Sequence, residues 1–113
     1  MDKVTPVNVS GLSSGVSAIS TMAFHTCALL NDGSVKCWGN NQYGELGVGY
    51  IRDISIPLEV AELTSEVFAI SLGYYHTCAL LNTGGVQCWG WNYHGQLGDG
   101  TNTDSWAPVD VRQ

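Results

Sequence analysis

The chain has 113 residues, enough for one small domain. Four Lys and Arg against ten Asp and Glu give a net charge of −6, which argues against a basic nucleic-acid face and against attraction to an anionic membrane. No apolar run is long enough to span a bilayer, and Met1-Asp2-Lys3 leads into Val-Thr-Pro without an apolar signal core.

Charged residues make up only 12% of the chain, against about 25% in an average globular domain. Glycine supplies 14 positions. Few charges with 44% apolar residues describe a chain that hides more surface than its own fold can cover. Glycine with Val, Thr, Trp and Tyr points to short strands and tight turns.

In chain order, Val16–Ser20 alternates apolar and small residues and predicts a first strand. His25–Leu30 and Val35–Trp38 flank Asn31-Asp32-Gly33-Ser34, which predicts a hairpin. Pro57–Val60 is the fourth strand, and its proline suits an edge because it cannot donate to a ladder. The pattern then starts again. His25-Thr26-Cys27-Ala28-Leu29-Leu30-Asn31 recurs letter for letter as His76–Asn82, at an offset of 51. Residues 1–51 laid on 52–102 give 26 identities. Val67–Ser71 repeats the first strand, and Asn82-Thr83-Gly84-Gly85 repeats the hairpin turn. Pro6-x-x-Val9, Pro57-x-x-Val60 and Pro108-x-x-Val111 also align. The expected organisation is an outer-strand overlap over 1–11, one blade over 12–62 and a second over 63–113.

A repeat of about 40–50 residues holding four strands is the signature of a β-propeller blade. His-Thr-x-Ala-Leu, then Cys-Trp-Gly-x-Asn, Gly-x-Leu-Gly-x-Gly and Pro-x-x-Val occur twice in the same order. Over its whole length the chain resembles the regulator of chromosome condensation repeat. The resemblance implies an all-β fold of four-stranded antiparallel blades in a ring, often of seven. It places Val16–Ser20 innermost and Pro57–Val60 outermost. It also implies several roles: nucleotide exchange on a small GTPase in chromatin-associated members, and inhibition of β-lactamases by an aromatic-rich loop face in a secreted relative. The first fits poorly, because the chain lacks a basic face and no exchange segment can be matched.

Two blades leave two apolar flanks in water, and repeat folds need about three units or more for stability. The expectation is a cyclic homo-oligomer, a trimer of six blades or a tetramer of eight, or else a piece of a longer propeller. The outer-strand motif occurs three times and the others twice. One copy is therefore surplus within a chain, and either the first or the last pairs across the junction.

Cys27 and Cys37 lie ten apart, symmetric about Asp32, and Cys78 and Cys88 repeat this spacing. Directly opposed on a hairpin, each pair is within disulfide reach, which would place the protein in an oxidising compartment. Free buried thiols are the plainer alternative. The sharper one is zinc, held by His25, Cys27 and Cys37 and again by His76, Cys78 and Cys88. No fourth ligand recurs near either trio, so no metal and no cofactor is assigned. The two histidines are expected to order the turn between the first and second strands. Asp99–Asp104 faintly suggests a calcium loop but lacks its spacing and terminal Glu. No nucleophile pairs with either His, so no catalytic residue is assigned and no enzyme is expected.

Trp38 with Trp89 and Leu46 with Leu97 recur under the period, which fits packing between blades. Positions that differ between repeats are freer to carry specificity. In an up-down blade, the first-to-second and third-to-fourth connections emerge on one rim. Phe24, Tyr43, Tyr74, Tyr75, Trp91, Tyr93 and His94 should therefore gather on one face. Such residues are typical anchors for recognition of a protein or glycan partner, the alternative being that several of them fill the junction between subunits. The leading function is a non-enzymatic scaffold, with a purely structural fragment or a His/Cys metal site as alternatives.

Overall fold

Eight strands run through the computed structural model, which describes residues 7–12 and 14–112. They are β1 (Val16–Met22), β2 (His25–Leu30), β3 (Val35–Gly39), β4 (Ile54–Glu59), β5 (Val67–Leu72), β6 (His76–Leu81), β7 (Val86–Gly90) and β8 (Ser105–Asp110). They form two four-stranded sheets, ordered β1-β2-β3-β4 and β5-β6-β7-β8, with every neighbouring pair antiparallel. Among the described residues there is no helix.

The outer strands begin earlier than their proline suggests. In β4 the register pairs Leu58 with Cys37 and Ile54 with Gly39, so residues 55–57 stand opposite Trp38 alone. Pro57 thus lies in an irregular stretch of an edge strand, where its missing N–H costs no ladder bond. Pro108 sits in the same place in β8, where the register shifts between Cys88 and Gly90. The third copy of the outer-strand motif pairs within its own sheet, as β8 on β7. Val7–Val9 of the first copy lie outside both sheets, and its Pro6 falls outside the described residues.

The hairpin turn forms as its residues dictate. Asp32 Oδ1 accepts hydrogen bonds from Ser34 N at 3.0 Å and Ser34 Oγ at 2.6 Å. Gly33 takes φ +86°, and a Cβ there would lie 2.6 Å from Glu66 Cβ. Only glycine lets the tip of the first hairpin meet the second sheet this closely. Val67 N donates to Gly33 O at 2.9 Å and fastens the contact.

The core lies between the sheets. Cys27, Leu29, Val35, Cys37, Leu46 and Val60 from the first unit meet Val67, Leu72, Ala79, Leu81 and Trp89 from the second. β5 packs against β1 and β2. Each sheet is thus a wedge with one flank covered by its neighbour. On the inner strands, Val16, Ile19, Met22 and Phe68 remain exposed.

Candidate functional site

The sheets carry their third-to-fourth connections, residues 40–53 and 91–104, on the same rim as the β1–β2 and β5–β6 turns. Each long loop is organised by one asparagine. Asn41 Oδ1 accepts Leu46 N at 3.0 Å, while its Nδ2 donates to Tyr50 O at 2.7 Å and Arg52 O at 3.0 Å. Its backbone N–H donates to Asp53 Oδ1 at 2.9 Å. Asn92 repeats this with Leu97 N, Thr101 O, Thr103 O and Asp104 Oδ1. Burying these amides with their partners satisfied fixes each loop without regular secondary structure. Sequence reasoning missed Asn41, Asn92, Asp53 and Asp104 as loop organisers. The available signal was their recurrence at the offset of 51. Asp99 is likewise engaged within its loop, its Oδ1 accepting Thr101 N at 3.0 Å and Thr101 Oγ1 at 2.8 Å.

Fixed loops bring six of the seven rim residues together. The Tyr43 ring lies 4.9 Å from Tyr75 and 5.8 Å from Trp91. Tyr75 meets Trp91 edge-on at 5.8 Å and Tyr74 at 6.4 Å. Trp91 stacks parallel to Tyr93 at 6.2 Å, and His94 meets both edge-on, at 5.5 Å from Trp91 and 4.9 Å from Tyr93. These separations and tilts are those of mutually attractive rings. Tyr74 and Tyr93 are 66% and 67% exposed, so the cluster offers apolar area to solvent. Phe24 stands apart. It is 71% exposed at the tip of its own turn, and among the described residues it pairs with no other ring.

The cysteines are joined as Cys27–Cys37 and Cys78–Cys88, with sulfurs 2.08 Å and 2.07 Å apart. Both pairs sit directly opposite in the ladder, Cys27 on Cys37 and Cys78 on Cys88, with Cα atoms 4.1 Å apart. A non-hydrogen-bonded antiparallel pair brings side chains this close. All four thiols are therefore taken up in bridges. Among the described residues, no group of three His, Cys, Asp or Glu is placed to hold a metal ion.

His25 does not reach its own turn. Its Nε2 lies 3.0 Å from Thr77 Oγ1 in the second sheet, and Thr77 Oγ1 donates to Glu45 O at 2.8 Å. The chain His25–Thr77–Glu45 crosses the junction twice. Burial holds the His25 pKa down to about 4, and the charge of His76 pushes it the same way. His76, half-buried, covers Gly73 in the β5–β6 turn, where a Cβ would collide with its ring. Its pKa is also lowered by burial.

Trp89 is fully buried, its indole against Gly47 in the loop between β3 and β4; its repeat partner Trp38 is only half-buried. Leu46 and Leu97 are both fully buried beneath their loops. Glu45 is fully buried as well. Its Oε1 accepts Tyr43 N at 2.9 Å, while Oε2 has no partner. Burial pushes its carboxyl above the ordinary range, and the charges of Asp53 and Asp104 add to this.

Two profiles of the regulator of chromosome condensation (RCC1) repeat match, one over residues 16–45 and 69–96, the other over 32–80 and 83–113. The ultraviolet-B receptor UVR8 of Arabidopsis thaliana is 36% identical over 98% of this chain and 26% of its own length. The protein RCC2 homolog of Xenopus laevis is 37% identical over 90% of this chain and 19% of its length. The chain thus spans about a quarter or less of these relatives. Human WBSCR16 superposes with a TM-score of 0.80 at 27% identity, over 95% of this chain and 28% of that one. Yeast RCC1 (Prp20), in a crystal structure bound to Kap60, superposes at 0.79 and 19% identity, over 96% of this chain and 26% of that one. The two sheets are accordingly propeller blades, and the chain belongs to the RCC1 repeat family.

Proposed function

We propose that this chain is a non-enzymatic segment of a β-propeller scaffold that binds a protein partner through its aromatic rim. One observation carries the reading. Tyr43 of the first blade packs against both Tyr75 and Trp91 of the second, so the surface spans the junction of two blades. Tyr74 and Tyr93 are exposed and Tyr43, Tyr75 and Trp91 half-buried, and such rigid aromatic side chains give large contact area at low entropic cost. Similar proteins support a protein partner: yeast RCC1 is seen with Kap60, and a second yeast structure is described with binding to Gsp1p and histones. The test is an unbiased array of synthetic peptides and glycans, probed with the chain and with a Trp91→Ala/Tyr93→Ala variant. The reading expects peptide binding that the variant loses while keeping its melting temperature and solution mass. Binding confined to glycans, or unchanged in the variant, overturns it.

The open flanks support a second role, self-association. The contacts that join the blades have counterparts, at the offset of 51, on the two open flanks. Thr26 and Trp38 occupy the positions of Thr77 and Trp89, while His76 and Gly98 occupy those of His25 and Gly47. A second copy presents to the open flank of blade two the same groups that blade two presents to blade one. Head-to-tail addition of this kind yields a closed ring when the rotation per copy divides a full turn. Light scattering tests it: an oligomer that Trp38→Ala dissociates supports this reading, and a stable monomer at micromolar concentration overturns it.

A further inference from the structure

The aromatic rim has an electrostatic partner in the loops that carry it. Asp53 and Asp104 end these loops, each holding the backbone N–H of Asn41 or Asn92. Both carboxylates are on exposed residues. Glu45, beside Tyr43, is fully buried and leaves Oε2 without a partner. The ring faces add the negative side of their quadrupoles. Cations are scarce in the surroundings: among the described residues they are Lys36 on β3, Arg52 and Arg112. Arg112 lies against Gly100, and Arg52 lies over the Tyr50 ring, its guanidinium carbon 5.1 Å from the centroid. That contact sets an arginine on a tyrosine face within the same loop.

Resting on the reading of this rim as a binding surface, we propose that its partner is a basic peptide segment, whose arginine side chains lie on the Tyr43–Tyr75–Trp91–Tyr93 rings with Asp53 and Asp104 facing the guanidinium groups. The complementarity is of charge as well as shape. A chain with a net charge of −6 draws such a segment in, and the planar guanidinium both stacks on rings and pairs with carboxylates. A neutral sugar could stack on the rings and donate its hydroxyls to the carboxylates, but it carries no charge to answer the net −6 of the chain.

The experiment titrates the intact chain, by calorimetry and tryptophan fluorescence, with three probes: an arginine-containing peptide, the same peptide with citrulline in place of arginine, and a neutral cello-oligosaccharide. The arginine peptide should bind, and citrulline should weaken binding by about tenfold or more. Trp91→Leu should weaken it about tenfold, and Asp53→Asn with Asp104→Asn several-fold. An asparagine side-chain oxygen still accepts the loop N–H, so the double variant keeps the loops. Added salt should weaken the arginine peptide only. Equal binding of both peptides overturns the arginine assignment but leaves the rim a protein-binding surface. Preference for the oligosaccharide, no binding of the arginine peptide, or arginine binding unaffected by Trp91→Leu also overturns it. The array experiment decides the wider reading separately.

Discussion

His25 of the first blade and Thr77 of the second share a hydrogen bond of 3.0 Å whose direction the surroundings fix. Thr77 gives its hydroxyl proton to Glu45 O, so it must accept from His25. The imidazole is therefore the tautomer protonated on Nε2, with Nδ1 bare and without a partner in a buried site. A second proton would place an N–H there with nothing to receive it. The junction between blades thus depends on a neutral histidine.

Acid should loosen that junction. The folded pKa of His25, about 4, lies below the ordinary 6.5, so the unfolded chain takes up the proton first as pH falls. Stability from this group is complete above the ordinary value and declines as pH falls from there toward 4, by up to about 3 kcal/mol. His76 acts in the same direction. Glu45 acts oppositely, because its raised carboxyl is relieved on protonation. Urea melts across this window should show a falling midpoint in the native chain. His25→Gln, which keeps a donor but does not titrate, should flatten the slope.

The two disulfides should differ in accessibility. Cys27 and Cys37 are fully buried at the blade junction, whereas Cys78 is half-buried on the open flank of blade two. Under a mild thiol reductant followed by alkylation, mass spectrometry should find Cys78 and Cys88 labelled well before Cys27 and Cys37. Simultaneous labelling would mean that the blades separate before either bridge is attacked. Losing either bridge should cost about 2–3 kcal/mol, the entropy of closing a loop of this length.

Glu45→Gln should stabilise the protein at neutral pH by about 1–2 kcal/mol, because it removes a buried carboxylate with an unpartnered oxygen. The second blade already carries Gln96 at this position, where Oε1 accepts His94 N at 2.9 Å. A urea midpoint unchanged or lowered at pH 7 would show that Glu45 makes a compensating contact.

Two glycines separate backbone strain from packing. At Gly47, φ is +71° and a Cβ would lie 2.6 Å from Trp89 Nε1; at Gly84, φ is +92° with nothing within 4 Å. Gly84→Ala should cost about 1–2 kcal/mol from strain alone. Gly47→Ala should cost about 2 kcal/mol more by lifting the indole, and should also alter the near-UV circular dichroism. Equal costs would mean that Trp89 moves aside freely.

Much of the architecture was legible in the residues. Repetition at an offset of 51 marked two equal units, and Asn-Asp-Gly-Ser with its flanking strands marked the hairpin that pairs Cys27 with Cys37. The rim positions followed from strand alternation, because the direction of an antiparallel meander decides which connections share an end. Less legible were the asparagine-centred loops, whose hydrogen bonds join residues nine to eleven apart without a regular period. Phe24 was assigned to the cluster by its loop alone, yet among the described residues its exposed ring pairs with none of the others.

The limit of the sequence is clearest in the six residues His-Thr-Cys-Ala-Leu-Leu, identical in β2 and β6. Identical letters dictate the same strand, the same register and the same bridge in both blades. Yet in β2 His25, Cys27 and Leu29 are buried, with Ala28 alone from the other face, while in β6 Thr77, Ala79 and Leu81 are buried, Cys78 is half-buried and Leu80 exposed. Local sequence determines the alternation of a strand, but not which of its faces a neighbour covers. Blade two covers the histidine face of β2, and blade one covers the threonine face of β6. That choice belongs to the packing of one wedge on the next, and only the tertiary structure made it.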